Sequence, residues 1–386
     1  MKPDFRRYPF VALLATLVLS LSFGGTVLAQ TTAEFDSAEK LNAAIDKSVD
    51  SAINFLKNRA QADDGRFSPA SGIAVTSLCV QAILDHRPSE VNSPQVKKAI
   101  EAILSNVRGD GGIYSKGSLY RNYETSVAVS ALVAANTEGQ YESELKRAEA
   151  FLKQMQWDEG EGIESSDVAY GGAGYAKHGR PDLSNTSFML DALRDLGNDE
   201  NDEAIQKALR FVTRTQNLKG HGNDTDFAGK QGDGGFYYTP AAGGESKVVV
   251  EEDPENAAGL RSYGSMTYAG LKSMIYAGLT QDDPRVAAAM EFIQETYSLT
   301  DNPGMGKQGL YYYYHTFAKA LDVADVKILT DAKGKNHLWN RELAATLFAA
   351  QQEDGSWVNQ GHKRWMEGDR NLVTAYSLMA LAHCRE

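Results

Sequence analysis

Glu124, Asn185 and His315 each stand immediately before a threonine in the sequence. A carboxylate and an imidazole are common general acids and bases, provided that they lie within hydrogen-bond reach of the reacting group. Residues so far apart in the chain can act together only if the fold repeats one local structure and points the copies at a shared place. The sequence contains such a repeat.

The threonine position recurs in six segments that share one layout. Each segment has an amphipathic helical pattern, a glycine-rich loop, a threonine and then an almost wholly apolar helical pattern. The six threonines, which number the units from one to six, are Thr76, Thr125, Thr186, Thr267, Thr316 and Thr374. The spacing between them varies while the unit stays constant, which is typical of a repeat architecture with loop insertions.

The loops before the threonines also share a signature. GDGGIY (109–114), GDGGFYY (232–238) and EDGSWV (353–358) place glycine beside an aromatic residue. Glycine permits the positive φ of a tight turn. A glutamine often precedes the loop, as at Gln61, Gln156, Gln216 and Gln351.

The two kinds of helical pattern predict an all-α fold with two layers. A helix that is apolar on all sides is buried, whereas a one-faced helix lies at the surface. We therefore expect residues 30–386 to form a single α/α toroid of six such repeats, with six inner and six outer helices closed into a barrel. An open α-solenoid is the alternative.

The Gln…Asp-Gly-Gly-aromatic motif followed by an inner helix resembles the repeat of the terpenoid cyclases and of protein prenyltransferase β-subunits. The third unit is most similar to squalene–hopene cyclases, which carry Asp-x-Asp-Asp-Thr where this sequence has Asp182-Leu183-Ser184-Asn185-Thr186. In the cyclases that it resembles, the central aspartate of this motif protonates the alkene of the substrate. Ser184 takes that place here, and a hydroxyl is too weak an acid to protonate an isolated double bond. The catalytic motif is therefore degenerate.

The fifth unit resembles the prenyltransferase branch, in which a zinc-binding histidine precedes the threonine, as His315 does here. The aspartate and cysteine that complete that zinc site fall on Tyr263 and Ser265. One histidine without a thiolate or a carboxylate does not hold zinc tightly. We therefore expect no metal site and no cofactor.

Residues just before the six threonines are expected to face one end of the barrel and to line a cavity there. The candidate catalytic residues are Glu124, His315 and Asp182. The candidate ligand-binding residues are Tyr123, Ser184, Asn185, Tyr263, Ser265 and Tyr314. The alternative is that these side chains only pack between helices, and for Asp182 a helix-capping role is favoured.

Residues 1–29 have the order of a secretory signal. Basic residues precede an apolar run from Phe10 to Phe23, and small or apolar residues follow up to Ala29. We expect cleavage after Ala29 and export to the periplasm or the cell exterior, without an integral membrane span in the mature chain. An uncleaved anchor is the alternative.

Composition excludes one class of partner. The formal net charge is −12 and no block of Lys or Arg stands out, so the chain repels phosphate backbones and nucleic acid is not an expected partner. The two cysteines, Cys79 and Cys384, have the option of a disulfide, but a buried thiol is the favoured state of Cys79.

Three functions remain open at this point. The first is an exported terpenoid cyclase or prenyltransferase-like toroid that binds an apolar or mixed small molecule. The second is a carbohydrate-active toroid, a polysaccharide lyase or hydrolase that acts on a glycan. The third is a non-catalytic scaffold. The sequence determines neither catalysis nor oligomeric state.

Overall fold

The computed structural model describes residues 35–177, 179–248 and 259–386. The predicted signal segment, residues 1–29, lies outside these ranges. None of the helices in the described ranges is both long enough and apolar enough to cross a membrane.

Twelve α-helices alternate between two layers in the described ranges. In chain order they are α1 (Ala38–Phe55), α2 (Ala74–His86), α3 (Pro94–Leu104), α4 (Arg121–Ala135), α5 (Glu142–Met155), α6 (Leu183–Asp195), α7 (Glu203–Arg214), α8 (Gly264–Tyr276), α9 (Pro284–Thr296), α10 (Leu310–Val323), α11 (Trp339–Ala350) and α12 (Arg370–Ala382). The even-numbered helices form an inner ring in which each contacts the next, and α12 contacts α2. The chain is therefore a closed α/α toroid, as predicted, and not an open solenoid.

Shorter elements connect these helices. A π-helical turn (Leu56–Ala60) follows α1, and 3₁₀ turns lie at Pro69–Ser71, Pro88–Asn92, Glu159–Glu161 and Arg364–Met366. The strands β1 (Leu329–Thr330) and β2 (Asn336–His337) pair antiparallel between α10 and α11.

Burial separates the two layers as the sequence pattern predicts. In α2 every residue except Asp85 is buried, because the helix is enclosed on all sides. In α1 the buried residues include Leu41, Ile45, Val49 and Ala52, which follow one face at steps of three and four. The apolar inner ring is thus covered by helices that keep a polar outer face.

The recurrent glutamines connect successive units. The side-chain amide of Gln156 donates to the carbonyl of Gly171 in its own loop and to that of Ala204 in the next outer helix, both at 2.8 Å. The amide of Gln351 does the same with Gly355 and Ser48, both at 2.9 Å. Ser48 belongs to α1, so the same bond that connects neighbouring units also joins the last unit to the first.

The first glycine after the aspartate in two of these loops has no room for a side chain. Gly111 has φ +92, and a Cβ there would lie 2.7 Å from the carbonyl oxygen of Arg147. Gly65 has φ +86, and its Cβ would lie 2.6 Å from the carbonyl oxygen of Lys98. Both the backbone conformation and the close approach of the next outer helix require glycine.

Two further contacts close the ring near the chain end. The side-chain amide of Asn42 donates to the backbone carbonyl of Glu386 at 2.7 Å, and Arg385 forms an ion pair with Asp46 at 2.8 Å. Cys79 and Cys384 are both buried and both free. The disulfide option is therefore not used in this structure.

Candidate functional site

A cavity of about 690 Å³ lies inside the ring, at the N-terminal ends of the inner helices. Every inner helix contributes an apolar or aromatic side chain to its wall: Val75, Tyr123, Phe188, Met266, Tyr312 and Tyr376. The volume is in the usual range for a small-molecule site.

Four aromatic rings contact one another in a closed cycle across the barrel. The ring of Phe188 lies 5.0 Å from that of Tyr123 and 6.0 Å from that of Tyr312, and the ring of Tyr312 lies 5.9 Å from that of Tyr376. The hydroxyls of Tyr123 and Tyr376 are 3.5 Å apart and complete the cycle. These four residues are named the aromatic floor. They present a broad apolar surface to the cavity.

The mouth of the cavity has large apolar side chains that are exposed to solvent. Leu119, Tyr120, Tyr175, Trp365 and Met366 line the cavity and are each at least 40% exposed. Trp365 and Met366 lie in the left-handed region with φ of 55 and 64, which is unusual for residues with side chains. Both the wall and the entrance of the cavity are therefore apolar to a large extent.

Glu124 lies on the cavity wall and is 3% exposed. One carboxylate oxygen accepts hydrogen bonds from the backbone N–H and the hydroxyl of Ser115, both at 2.8 Å. The other accepts from the hydroxyl of Ser118. These three donors fix the position of the Glu124 carboxylate in the wall.

The third unit places its motif at the start of α6. Asp182 is the N-cap of α6, and its carboxylate accepts hydrogen bonds from the backbone N–H of Asn185 at 2.9 Å and from the Asn185 side-chain amide at 2.7 Å. Burial raises the pKa of Asp182 to about 6, although the hydrogen bonds from Asn185 lower it. Asp182 thus caps the helix behind the wall, while Asn185 lines the cavity.

Ser184 lines the cavity. Its hydroxyl lies 3.1 Å from the hydroxyl of Tyr312 on α10, two positions further round the inner ring. Tyr263 and Ser265 also line the cavity, and Tyr263 is the N-cap of α8. These residues are hydroxyl and phenol groups that donate and accept hydrogen bonds, and they are not strong acids.

The prediction for the fifth unit is corrected by the structure. Threonines such as Thr186 accept a hydrogen bond from a loop N–H, here that of Ala173 at 2.9 Å, whereas the hydroxyl of Thr316 bonds to carbonyls of its own helix. The reason lies in where the two helices begin. The start of α10 at Leu310 lies about one helical turn further before Thr316 than the start of α6 lies before Thr186. Tyr312 therefore faces the cavity in place of the expected residues of this unit.

His315 and Tyr314 lie behind the wall and not in it. The ring of His315 stacks on Tyr376 with centroids 5.7 Å apart, and the hydroxyl of Tyr314 donates to the carbonyl of Leu299 at 2.6 Å. Within the described residues, Nδ1 of His315 has no hydrogen-bond partner and no bond joins His315 to Glu124. Glu124 and His315, two of the three candidate catalytic residues, are thus not joined by a hydrogen bond.

A buried charge cluster lies further along the inner helices than the aromatic floor. The carboxylate of Asp191 forms ion pairs with Lys272 and with Lys319, the second at 2.8 Å, and accepts from the hydroxyl of Tyr276 at 3.3 Å. Burial opposes ionisation of Asp191, but the two ammonium groups outweigh it and hold its pKa well below the usual range. Burial and these same lysines lower the pKa of His315, so the imidazole is neutral.

Sequence reasoning missed charged residues of the wall, among them Glu367 and Lys247. Glu367 accepts hydrogen bonds from the backbone N–H groups of Tyr311 and Tyr312 at 2.9 and 2.8 Å, at the start of α10, and burial raises its pKa to about 7. Lys247 lies in the loop before α8 and also lines the cavity. Both come from insertions outside the repeated motif, so no spacing signal marked them.

Metal ligands were also sought in the structure. Among residues 35–177, 179–248 and 259–386, no group of three or more His, Cys, Asp or Glu side chains has a geometry suited to a metal ion.

The closed α/α toroid is the fold of the terpenoid cyclase superfamily. The family model of the squalene-hopene cyclase C-terminal domain matches residues 32–240, which is more than half of the chain. The chain belongs to that family, and the resemblance predicted from its motifs is confirmed.

Solved structures of similar fold agree with this assignment. A variant of the type II terpene cyclase MstE from Scytonema in complex with merosterolic acid A matches with 15% identity and a TM-score of 0.53, over 89% of this chain and 97% of that chain. Another MstE variant, in complex with geranylgeranyl dihydroxybenzoate, matches with 14% identity and a TM-score of 0.52, over 89% of this chain and 98% of that chain. At this identity the likeness shows the fold. Among proteins with curated descriptions, none matches the sequence.

Proposed function

We propose that the chain is an exported, terpenoid cyclase-like toroid that binds one apolar or mixed small molecule of isoprenoid type in its central cavity, without the cyclisation chemistry of its relatives. The observation that supports it most directly is the cavity itself. Its floor is a closed cycle of four aromatic rings, and its volume of about 690 Å³ suits a ligand of this class.

The polar groups of the wall favour binding over alkene protonation. Ser184 supplies a hydroxyl where a cyclase of the resembled type has its acid, and Asp182 is occupied by capping α6. The carboxylate oxygens of Glu124 are already engaged by three donors from Ser115 and Ser118. An apolar body would lie on the aromatic floor, and the hydroxyls around it would receive a polar end.

The test is direct binding with a blocked cavity as the comparison. Thermal unfolding and calorimetry of the purified protein are measured with farnesol, with squalene and with neutral oligosaccharides. We expect farnesol or squalene to raise Tm and the oligosaccharides to leave it unchanged. Ala74 is buried in the cavity wall, so Ala74→Phe should fill the cavity and abolish the shift, whereas Ala332→Phe on the exposed hairpin between β1 and β2 should not.

Catalysis and export are tested separately. Chromatography with mass spectrometry of the recovered ligand should return it unchanged, and a cyclised isomer would refute the non-catalytic part of the proposal. For export, the N-terminus of the protein recovered outside the cytoplasm should be Gln30. An intact Met1 in that fraction would refute cleavage. If oligosaccharides bind and the isoprenoids do not, the glycan alternative replaces the proposal.

A further inference from the structure

One lysine of the cavity wall indicates the chemical class of the polar end of the ligand. This inference rests on the proposed function. The cavity wall includes Lys247, whose ammonium lies 4.3 Å from the centre of the Tyr238 ring, and Tyr238 is itself a wall residue. A cation held against an aromatic face beside a cavity is partly removed from water. It is therefore a strong partner for a group of opposite charge.

The loop that holds Lys247 is fixed in place by hydrogen bonds. Thr239 and Glu245 exchange two backbone hydrogen bonds, of 3.1 and 2.9 Å. The hydroxyl of Thr239 donates to the carbonyl of Pro181 at 2.7 Å, and the hydroxyl of Ser246 donates to that of Arg261 at 2.7 Å. The backbone that carries Lys247 therefore has a defined position.

Positive charge gathers at this part of the wall. Arg180 lies 5.9 Å from the Tyr238 ring, and Arg180 and Lys247 both pair with Glu245. Burial lowers the pKa of Lys247, and Arg180 and Arg364 lower it further, against the opposing effect of Asp182. Two cations therefore share one carboxylate, with a third cation nearby, in a chain whose net charge is −12.

The carboxylates of the cavity wall do not favour a cationic ligand. Glu124 is held by three donors from Ser115 and Ser118, and Glu367 by two backbone N–H groups and by the side-chain amide of Asn359 at 2.6 Å. Both carboxylates therefore already have hydrogen-bond partners within the protein. A cationic ligand would gain little there, whereas an anion beside Lys247 would relieve the crowding of like charges.

We propose that the ligand of the cavity is an amphiphile with an anionic head group, a carboxylate or a phosphate, which binds at Lys247 while its apolar body lies on the aromatic floor. A charge-assisted hydrogen bond at a partly buried site contributes roughly tenfold or more in affinity. The head group therefore distinguishes this ligand from a neutral prenol or hydrocarbon of the same length.

The experiment compares three head groups on one tail. Farnesoic acid, farnesol and farnesylamine are titrated into the full protein at neutral pH and followed by calorimetry. We expect the acid to bind at least tenfold more tightly than the alcohol, and the amine to bind most weakly. Lys247→Met should bring the acid and the alcohol to within about threefold of each other, and Lys247→Arg should restore the preference.

Variants of two other lysines test whether the preference for the acid depends on Lys247 in particular. Lys116 is the second lysine of the wall, on the side of Ser115, and Lys116→Met should reduce the preference by less than Lys247→Met does. Lys335 is exposed on the hairpin between β1 and β2, and Lys335→Met controls for the loss of one positive charge. Farnesol affinity serves as the check that each variant keeps its cavity.

The outcomes separate the two proposals. If farnesol binds and neither farnesoic acid nor a phosphate-headed farnesyl ligand binds more tightly, the anionic head group is refuted while the proposed function stands. If Lys247→Met and Lys116→Met reduce the preference equally, the assignment to Lys247 is refuted. If a phosphate-headed farnesyl ligand gains the tenfold and the carboxylate does not, the head group is a phosphate. If no farnesyl ligand binds, the proposed function fails and this inference fails with it.

Discussion

Replacement of Asp191 by asparagine should destabilise the protein strongly. Asp191 is the carboxylate that two buried ammonium groups share, and Lys272 and Lys319 are 1% and 9% exposed. The amide has nearly the same shape but no charge. Asp191→Asn therefore removes the carboxylate that pairs with both buried cations and leaves Asp195, which forms no direct ion pair with either, as their partner at longer range.

The magnitude follows from the loss of the pair. Removing one partner of a buried ion pair costs about 3–5 kcal/mol, because the remaining charge is buried and uncompensated. For a folded unit of roughly 350 residues, the entropy of unfolding converts this into a fall in Tm of about 4–7 °C. The lower bound applies if Lys272, whose pKa burial lowers to about 8, loses its proton in the variant and escapes the penalty.

Thermal unfolding at neutral pH, followed by circular dichroism, measures the effect. A triple variant, Asp191→Leu with Lys272→Met and Lys319→Met, should recover most of the lost stability, since well-packed apolar residues often replace a buried ion pair without loss. A fall of less than 1 °C for Asp191→Asn would refute the reasoning. So would a triple variant that is less stable than the single one.

Three further predictions concern the ring and the third unit. Gln351→Ala removes the side-chain hydrogen bonds that Gln351 makes with Ser48 of the first unit and with Gly355 of its own loop, and should lower the free energy of unfolding by about 1–3 kcal/mol in urea titrations. Gly111→Ala should destabilise by more than Gly117→Ala in the same assay, because both glycines have positive φ but only Gly111 meets the next helix; equal losses would contradict this. Asp182 has a pKa raised from 3.8 to about 6, so its protonation stabilises the fold below about pH 4 and that contribution is lost as pH rises through 6. Asp182→Asn should therefore gain in Tm relative to the parent between pH 4 and 7, with the Asn185 amide rotated to pair with the new one; a constant difference across this range would refute it.

The toroid was predictable because its determinants are local and recur. The glutamines, the glycines of positive φ and the contrast between one-faced and wholly apolar helices are visible within each unit. The closure of the ring follows from these, since Gln351 makes with α1 the bond that Gln156 makes with the next outer helix. Glu124, Ser184 and Asn185 were placed in the wall for the same reason.

The rest of the site depends on features that leave no spacing signal. His315 was misplaced because it stands before a threonine, although α10 begins one turn too early for that threonine to contact the loop. The Asp191 cluster joins three inner helices, and a single sequence does not show which of their faces meet. Lys247 and Glu367 belong to insertions whose path is set by tertiary hydrogen bonds.

The contact between Asn42 and Glu386 has a consequence for the order of the chain. Because the two ends of the toroid are adjacent, a short peptide link between them leaves the inner ring undisturbed, and new ends opened at the exposed turn at Lys333 and Gly334 break no helix. Such a circular permutant retains every neighbour of every inner helix. We therefore expect the toroid to form with its chain ends moved to that turn.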